Sequence, residues 1–248
     1  MDLKDKVAII TGGAGGIGEG ICRVLASRGA KVVVNHLAFE LESAKRVVSD
    51  ITANGGHAVA IEANVTKEKE VELLVEKTIR EFAALNILVN CAGITIDGTA
   101  VKLKKEDFEK VLAVNLTGPF LTMKAALPHM ISQQYGRIIN ISSIAGLIGL
   151  RGASAYAASK AGLIALSKSV AREVARKGIT VNVICPGYIN AGLTKGVAKE
   201  YFEDLMATVP MAKVGEPEDI GAGVAFLASG GARYVTGEVL RIDGGMAM

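Results

Sequence analysis

Short apolar runs alternate along this chain with longer stretches of mixed apolar and polar residues. The runs rich in Val and Ile are residues 7–11, 31–35, 57–62, 87–90, 137–141, 180–185 and 239–242. Most of them lack the polar–apolar alternation of a half-exposed strand, which indicates parallel strands covered on both faces. The pattern therefore predicts a buried parallel sheet of about seven strands.

The stretches between these runs have the length and period of helices. The clearest are residues 16–28, 41–54, 67–82, 106–132 and 155–177, and several end at a glycine just before the next strand. This alternation is typical of a doubly wound sheet with helices on both faces, the Rossmann fold of the α/β class. We predict one such domain over residues 1–248.

The regular alternation pauses over residues 187–210, where several aliphatic and aromatic side chains occur. We interpret this segment as a lid over the substrate. An ordinary amphipathic surface helix is the alternative.

Composition and charge exclude several classes of function. Half of the 248 residues are apolar and the net charge is only +3, without basic clusters, so no nucleic-acid or membrane surface is indicated. Cys22, Cys91 and Cys185 are widely spaced in apolar sequence, which favours free thiols in a reducing compartment. The chain shows no signal peptide, membrane span or zinc-ligand spacing. We expect a cytoplasmic protein without a metal.

The first strand runs directly into a glycine-rich loop before the first helix. The loop reads Thr11-Gly12-Gly13-Ala14-Gly15-Gly16-Ile17-Gly18. A bound phosphate needs close approach of the backbone, freedom for positive φ and a helix N-terminus, and glycines in this context supply all three. A tight turn without a ligand is the alternative for a lone glycine cluster. In its strand–loop–helix setting, the loop predicts a dinucleotide site.

The end of the second strand bears on which dinucleotide binds. NAD sites place Asp or Glu there to bond the ribose 2′-hydroxyl, whereas this chain has Asn35-His36-Leu37. The absence of an acid permits the 2′-phosphate of NADP, which Asn35 and His36 could hydrogen-bond, although no Arg or Lys is there to pair with it. We favour NADP(H). In the alternative, His36 only caps the strand and NAD(H) is used.

Tyr156 and Lys160 stand one turn apart on a predicted helix. Reduction of a ketone needs a proton donor beside the nascent alkoxide, and a neighbouring ammonium would lower the pKa of a tyrosine. Ser143 ends the fifth strand, at the carboxyl edge where such sheets bind ligands, and could polarise a carbonyl. Taken singly, the Tyr–Lys pair would be an ordinary surface pair and the serine a turn residue.

Together these motifs resemble the short-chain dehydrogenase/reductase family over residues 6–248. The matching pieces are residues 11–18, Asn90-Cys91-Ala92-Gly93, Asn115, Ser143, Tyr156-x-x-x-Lys160 and Pro186-Gly187. The resemblance implies that Tyr156 is the general acid/base, that Lys160 lowers its pKa and holds the nicotinamide ribose, and that Ser143 polarises the carbonyl. Asn115 would hold a water in the proton relay; a helix-kink residue that bonds the backbone is its alternative.

The resemblance also implies a set of nucleotide contacts. Asn90 and Gly93 would lie near the adenosine ribose, Asn64 and Val65 near the adenine, and the Ile189 backbone would bond the carboxamide. The full predicted set is Gly12, Gly15, Gly16, Ile17, Gly18, Asn35, His36, Asn64, Val65, Asn90, Ala92, Gly93, Tyr156, Lys160, Pro186, Gly187 and Ile189.

Within the family, the chain is most similar to 3-oxoacyl-[acyl-carrier-protein] reductases, in residues 88–95, 171–182 and 244–248. This implies reduction of a 3-oxoacyl thioester of acyl-carrier protein or CoA, a role in fatty acid biosynthesis, and a homotetramer. The alternatives are an NAD(H)-linked dehydrogenase of another secondary alcohol and a non-catalytic dinucleotide sensor.

The chain departs from the pattern of those reductases at several positions. Gly15 and Gln134 stand where a basic residue is frequent, for the 2′-phosphate and for the carrier protein respectively, while Lys177 keeps the other half of the carrier-protein patch. Ala191 and Gly192 replace a usual Thr and Asp, which removes one hydroxyl contact to the cofactor.

Overall fold

The computed structural model describes residues 3–191 and 206–248. Their strands form one parallel sheet in the order β3-β2-β1-β4-β5-β6-β7. The strands are β1 (Val7–Thr11), β2 (Lys31–His36), β3 (His57–Glu62), β4 (Ile87–Asn90), β5 (Gly136–Ile141), β6 (Ile179–Pro186) and β7 (Val239–Ile242). The strand order reverses between β1 and β4, which places a binding crevice at the carboxyl ends of these two strands. The predicted Rossmann fold is confirmed.

Helices cover both faces of the sheet. One core contains α1 (Gly16–Ser27), α2 (Leu41–Ala53) and α8 (Pro217–Ala228), and the other contains α3 (Glu68–Phe82), α5 (Gly118–Gln133) and α7 (Ser154–Val174). Successive residues of β1 enter opposite cores, Ile9 the second and Ile10 the first. The central strands β1, β4, β5 and β6 are buried on both faces, which explains their largely apolar runs, whereas the edge strands β3 and β7 are partly exposed.

The helix predicted over residues 106–132 is divided. It consists of α4 (Lys105–Leu112), a π-helical turn (Ala113–Thr117) and α5. Hydrophobic periodicity continues through the turn, so the extra residue of a π-turn leaves no clear mark in the sequence. A short helix, α6 (Ala145–Ile148), precedes α7. The helix stops at Gly29, Gly55 and Gly178 have φ of 89°, 79° and 73°, the left-handed conformation that favours glycine.

The contact between α1 and α8 supports the helix that follows the glycine loop. A β-carbon at Gly221 of α8 would lie 2.7 Å from Val24 Cγ2 of α1, so the two helices touch through glycine. The start of α1 is therefore fixed by packing as well as by the sheet.

Over the described residues, no helix combines the length and hydropathy needed to cross a membrane. The same part of the chain holds no group of His, Cys, Asp or Glu side chains that could bind a metal ion. All three cysteines are free thiols, as predicted.

Candidate active site

The glycine loop between β1 and α1 is packed so closely that side chains are excluded. Gly12 has φ 65°, and a β-carbon there would lie 2.9 Å from Ala92 Cα. A β-carbon at Gly18 would overlap the carbonyl oxygen of Gly12, and Gly16, with φ 56°, begins α1. Ile17 follows it and packs against the first core. Gly15 differs from these glycines, because nothing lies within 4 Å of a β-carbon there.

Thr11 joins this loop to the end of β4. Its Oγ1 accepts hydrogen bonds from the backbone N–H groups of Cys91 at 3.0 Å and Ala92 at 3.1 Å. This role of the Thr11 side chain was not predicted, although the position of Thr11 at the head of the loop is a signal for it. The bonds bring the predicted contacts Ala92 and Gly93 beside the loop.

The Asn35 and His36 side chains at the end of β2 are engaged within the chain. Asn35 and His36 are both 2% exposed. The Asn35 amide donates to the carbonyls of Ala63 at 2.9 Å and Ile61 at 3.3 Å, and its contact with a 2′-phosphate stays a prediction. The His36 Nδ1 lies 2.9 Å from the Leu37 carbonyl oxygen, so its ring contacts the backbone at the end of the strand.

The residues assigned to adenine lie at the same edge, after β3. Asn64 Oδ1 accepts from the N–H and the hydroxyl of Thr66, at 3.0 and 2.8 Å, rather than standing free for an adenine amino group. Val65 is buried and lies against Gly118 at the start of α5, where a β-carbon would come within 2.9 Å of it. Asn64 therefore serves first to close a turn.

The carboxyl ends of β4 and β6 complete the edge. Asn90 donates to Asn140 Oδ1 at 2.8 Å and accepts from the Thr122 hydroxyl at 2.6 Å, so its amide is held inside the fold. Pro186 ends β6, and the Gly187 N–H donates to the Ile242 carbonyl at 3.0 Å. Ile189 is buried in a bridge to Gly215. Within the predicted lid, residues 192–205 lie outside the described residues.

The structure brings Ser143, Tyr156 and Lys160 together where β5 meets α7. Lys160 is 3% exposed; its Nζ donates to the Ile141 carbonyl at 2.9 Å and lies 5.6 Å from the centre of the Tyr156 ring. Ser143 lies close enough to the Tyr156 side chain to act on its pKa, and its Oγ accepts from the Ala145 N–H at 3.1 Å. A proton donor, a second hydroxyl and a buried cation thus share one corner.

Burial dominates the electrostatics of this corner. It raises the pKa of Tyr156, while the hydrogen bond from Ser143 acts in the lowering direction. Burial also lowers the pKa of Lys160 to about 8. Burial therefore determines the net direction of the Tyr156 pKa, and the role of Lys160 in lowering it stays a prediction.

Asn115 occupies the π-turn and is fully buried. Its Oδ1 accepts from the Ile94 N–H and its Nδ2 donates to the Ile94 carbonyl, both at 2.9 Å. A β-carbon at Gly93 would lie 3.3 Å from Asn115 Oδ1 and 3.4 Å from Lys160 Nζ, so these polar atoms converge there. The side chain bonds the backbone, as its alternative predicted; the water-holding role stays a prediction.

Comparisons with known proteins support an enzymatic site. Residues 12–247 match a family described as enoyl-(acyl carrier protein) reductase. The chain is 42% identical over 247 residues to a 3-oxoacyl-[acyl-carrier-protein] reductase of Synechocystis sp., covering 99% of this chain and 98% of the relative. It is 41% identical over 248 residues to 3-oxoacyl-[acyl-carrier-protein] reductase FabG of Escherichia coli, covering 100% of both.

A solved structure, assigned as a gluconate dehydrogenase from Agrobacterium tumefaciens, superposes with a TM-score of 0.95 at 29% identity. The match covers 99% of this chain and 97% of that one.

Proposed function

We propose that this protein reduces a 3-oxoacyl thioester to the 3-hydroxyacyl form. The chain belongs to the short-chain dehydrogenase/reductase family, and it is accordingly an oxidoreductase that uses a nicotinamide dinucleotide. The observation that carries the reaction type is the convergence of Ser143, Tyr156 and buried Lys160 in one corner of the sheet edge. The choice of substrate is supported by similarity over the full chain to 3-oxoacyl-[acyl-carrier-protein] reductases.

The residues present fit a dinucleotide. Gly12, Gly16 and Gly18 leave the backbone at the start of α1 free of side chains, where the N–H groups of the first turn can face a pyrophosphate. When bound, the reduced nicotinamide supplies the hydride that adds to the carbonyl carbon.

The side chains of the chain then handle the oxygen and its proton. The Tyr156 hydroxyl donates a proton to the developing alkoxide, and Ser143 donates a hydrogen bond to the same oxygen. The raised pKa keeps Tyr156 protonated at neutral pH, which is the form that a reductase needs. Lys160 holds the nicotinamide ribose, and Asn115 holds the water through which a proton is returned.

We propose NADP(H) as the cofactor, since no acidic residue stands at positions 35–37 to repel a 2′-phosphate. The preference is expected to be small, because the Asn35 amide donates to backbone carbonyls in and just after β3 and Gly15 brings no charge. The same features favour the second candidate, an NAD(H)-linked dehydrogenase of another secondary alcohol, as does the likeness to a protein assigned as a gluconate dehydrogenase.

Acyl-carrier protein is the proposed donor of the substrate, with CoA thioesters as the alternative. Lys177 is exposed and lies beside Gln134, whose backbone abuts Gly178, so one basic residue of the docking patch remains. We further propose a homotetramer in the cytoplasm, formed by one domain over residues 1–248 whose segment 187–210 covers the substrate. Exposed Phe108, Phe120 and Ile131 on α4 and α5 support the assembly.

A kinetic panel tests this function. Acetoacetyl-CoA and a 3-oxoacyl-[acyl-carrier protein] are each reduced with NADPH and with NADH, and sugar alcohols are oxidised with NADP⁺ and with NAD⁺. We expect rapid reduction of the thioesters, higher kcat/KM for the carrier-protein substrate, and a modest preference for NADPH. Turnover of sugar alcohols with NAD⁺ alone, without thioester reduction, would establish the second candidate instead.

A further inference from the structure

Ser159 stands between Tyr156 and Lys160 on α7 and takes no part in the proposed reaction steps. It is fully buried. Its Oγ donates to the Tyr156 carbonyl at 2.7 Å and accepts from Asn115 Nδ2 at 3.1 Å. One hydroxyl therefore connects the backbone of the proton donor to the side chain in the π-turn.

This hydroxyl completes the set of bonds that holds Asn115. The amide Oδ1 accepts from the Ile94 N–H, and Nδ2 shares its two hydrogens between the Ile94 carbonyl and Ser159 Oγ. Without Ser159, one N–H of a fully buried amide would lose its partner, and Asn115 would be held only from the Ile94 side.

The same hydroxyl adds a donor to the first turns of α7. In an α-helix, the carbonyl of residue 156 accepts from the N–H of residue 160; Ser159 supplies a second donor to that carbonyl. The peptide group next to Tyr156 is thus tied through Ser159 and Asn115 to the loop after β4. The direction of the Tyr156 ring depends on this anchored backbone.

We propose that Ser159 is a positioning residue for proton transfer, since it fixes the Tyr156 hydroxyl against Ser143 by joining the Tyr156 carbonyl to the Asn115 amide. The proposal rests on the proposed function, in which Tyr156 is the proton donor.

The same helix offers a matched control two turns away. Ser167 is also fully buried; its Oγ donates to the Leu163 carbonyl at 2.6 Å and accepts from Asn140 Nδ2 at 2.7 Å. Loss of either hydroxyl leaves a buried asparagine N–H without its partner. The two variants should therefore lose similar free energy of unfolding. Only Ser159 bonds the turn that carries Tyr156.

The test compares Ser159→Ala with Ser167→Ala in the full-length enzyme. Measured quantities are Tm, the Kd of NADPH by fluorescence titration, kcat and KM with acetoacetyl-CoA, and the solvent deuterium isotope effect on kcat. We expect similar losses in Tm and unchanged Kd, but a fall in kcat of about tenfold in Ser159→Ala alone, with KM within about twofold. The solvent isotope effect should rise in that variant.

Unchanged kcat in Ser159→Ala, or equal losses of kcat in both variants, would overturn the proposal. If Ser159→Ala does not fold, Ser159→Cys keeps the volume and a weak donor and should show the same split between kcat and KM at smaller amplitude. A wild-type protein without thioester reduction would refute the proposed substrate instead, and the comparison would then use the alcohol that the kinetic panel identifies.

Discussion

The glycine loop and the first turns of α7 meet at one edge of the sheet but are built in opposite ways. The loop depends on missing side chains, because Gly12 and Gly18 lie against backbone that a β-carbon would strike. The turn depends on polar side chains that are almost fully buried, namely Asn115, Ser159 and Lys160. Packing therefore shapes the loop that we propose to hold the nucleotide, whereas hydrogen bonds anchor the helix turn that carries the proposed proton donor.

This difference predicts that substitutions in the two regions affect different kinetic quantities. Changes in the loop should act on nucleotide affinity and leave kcat at saturation largely intact. Changes on α7 should act on kcat and leave nucleotide affinity intact, with side effects on stability that depend on which buried polar group is removed.

The largest effect is expected from Tyr156→Phe. Loss of the general acid should lower kcat by about 10²–10⁴-fold, because the phenyl ring cannot deliver a proton to the alkoxide. The Kd of NADPH, followed by fluorescence titration, should stay within about twofold. The control is Tyr135→Phe, a residue before β5 at the opposite edge of the sheet, which should keep full activity. Full activity in Tyr156→Phe would contradict the proposed mechanism.

Gly18→Ala should be the most damaging change in the loop. A β-carbon there overlaps the Gly12 carbonyl, so the start of α1 must move away from the nucleotide. We expect NADPH to bind about 100-fold more weakly, with a lower Tm, while kcat at saturating nucleotide falls far less. In Gly15→Ala, where φ is −172° and the β-carbon meets nothing within 4 Å, folding should be unaffected. If both variants bind NADPH alike, close packing is not what shapes the loop.

Lys160→Met should make the protein more stable and inactive. Burial lowers the pKa of Lys160 from 10.5 to about 8, so the folded state binds fewer protons than the unfolded state between these values. The destabilisation is complete below about pH 8 and disappears as the pH rises toward 10.5. At pH 7 we expect a gain of about 3 kcal/mol in the free energy of unfolding, equal to several degrees in Tm.

Thermal unfolding measured from pH 7 to pH 10.5 tests this expectation, and the advantage of Lys160→Met should shrink across that range. Exposed Lys168→Met on the same helix serves as the control, with a change within about 0.5 kcal/mol. Equal stability of Lys160→Met and wild type at pH 7 would show that the Ile141 carbonyl compensates the buried charge.

The fold could be predicted because its signals are local. Apolar runs mark the strands, and glycines such as Gly29 and Gly178 mark the ends of helices one or two residues after they stop. The π-turn was missed, since periodicity does not register one inserted residue. The π-turn carries Asn115, whose side chain bonds the backbone of Ile94, 21 positions earlier in the chain. Such a long-range contact cannot be read from local periodicity.

The candidate site was predictable in its residues but not in its contacts. The spacing of Tyr156 and Lys160 predicted two neighbouring side chains on one helix face, but burial, which raises the Tyr156 pKa, depends on the whole fold. Likewise, Asn35 stands at a strand end, but its hydrogen bond to the Ala63 carbonyl, 28 positions further along the chain, cannot be read from the local sequence. Burial and long-range partners decide both cases, and neither is written in a local pattern.

The smallest expected effect tests whether charge can be added to the loop without disturbing its packing. Gly15→Arg places a guanidinium before α1, where the structure leaves space, and a charge-assisted bond to a 2′-phosphate is favourable. Glu19, already paired with Arg23 and Arg46, offers a competing partner one turn away and reduces the gain. We expect the Kd of NADPH to fall by about five- to tenfold, the Kd of NADH to stay within about twofold, and Tm to be unchanged. Gly15→Gln, of similar length without the charge, should show no gain. If arginine tightens both nucleotides equally, it binds their shared pyrophosphate, and the 2′-position is then recognised elsewhere than beside Gly15.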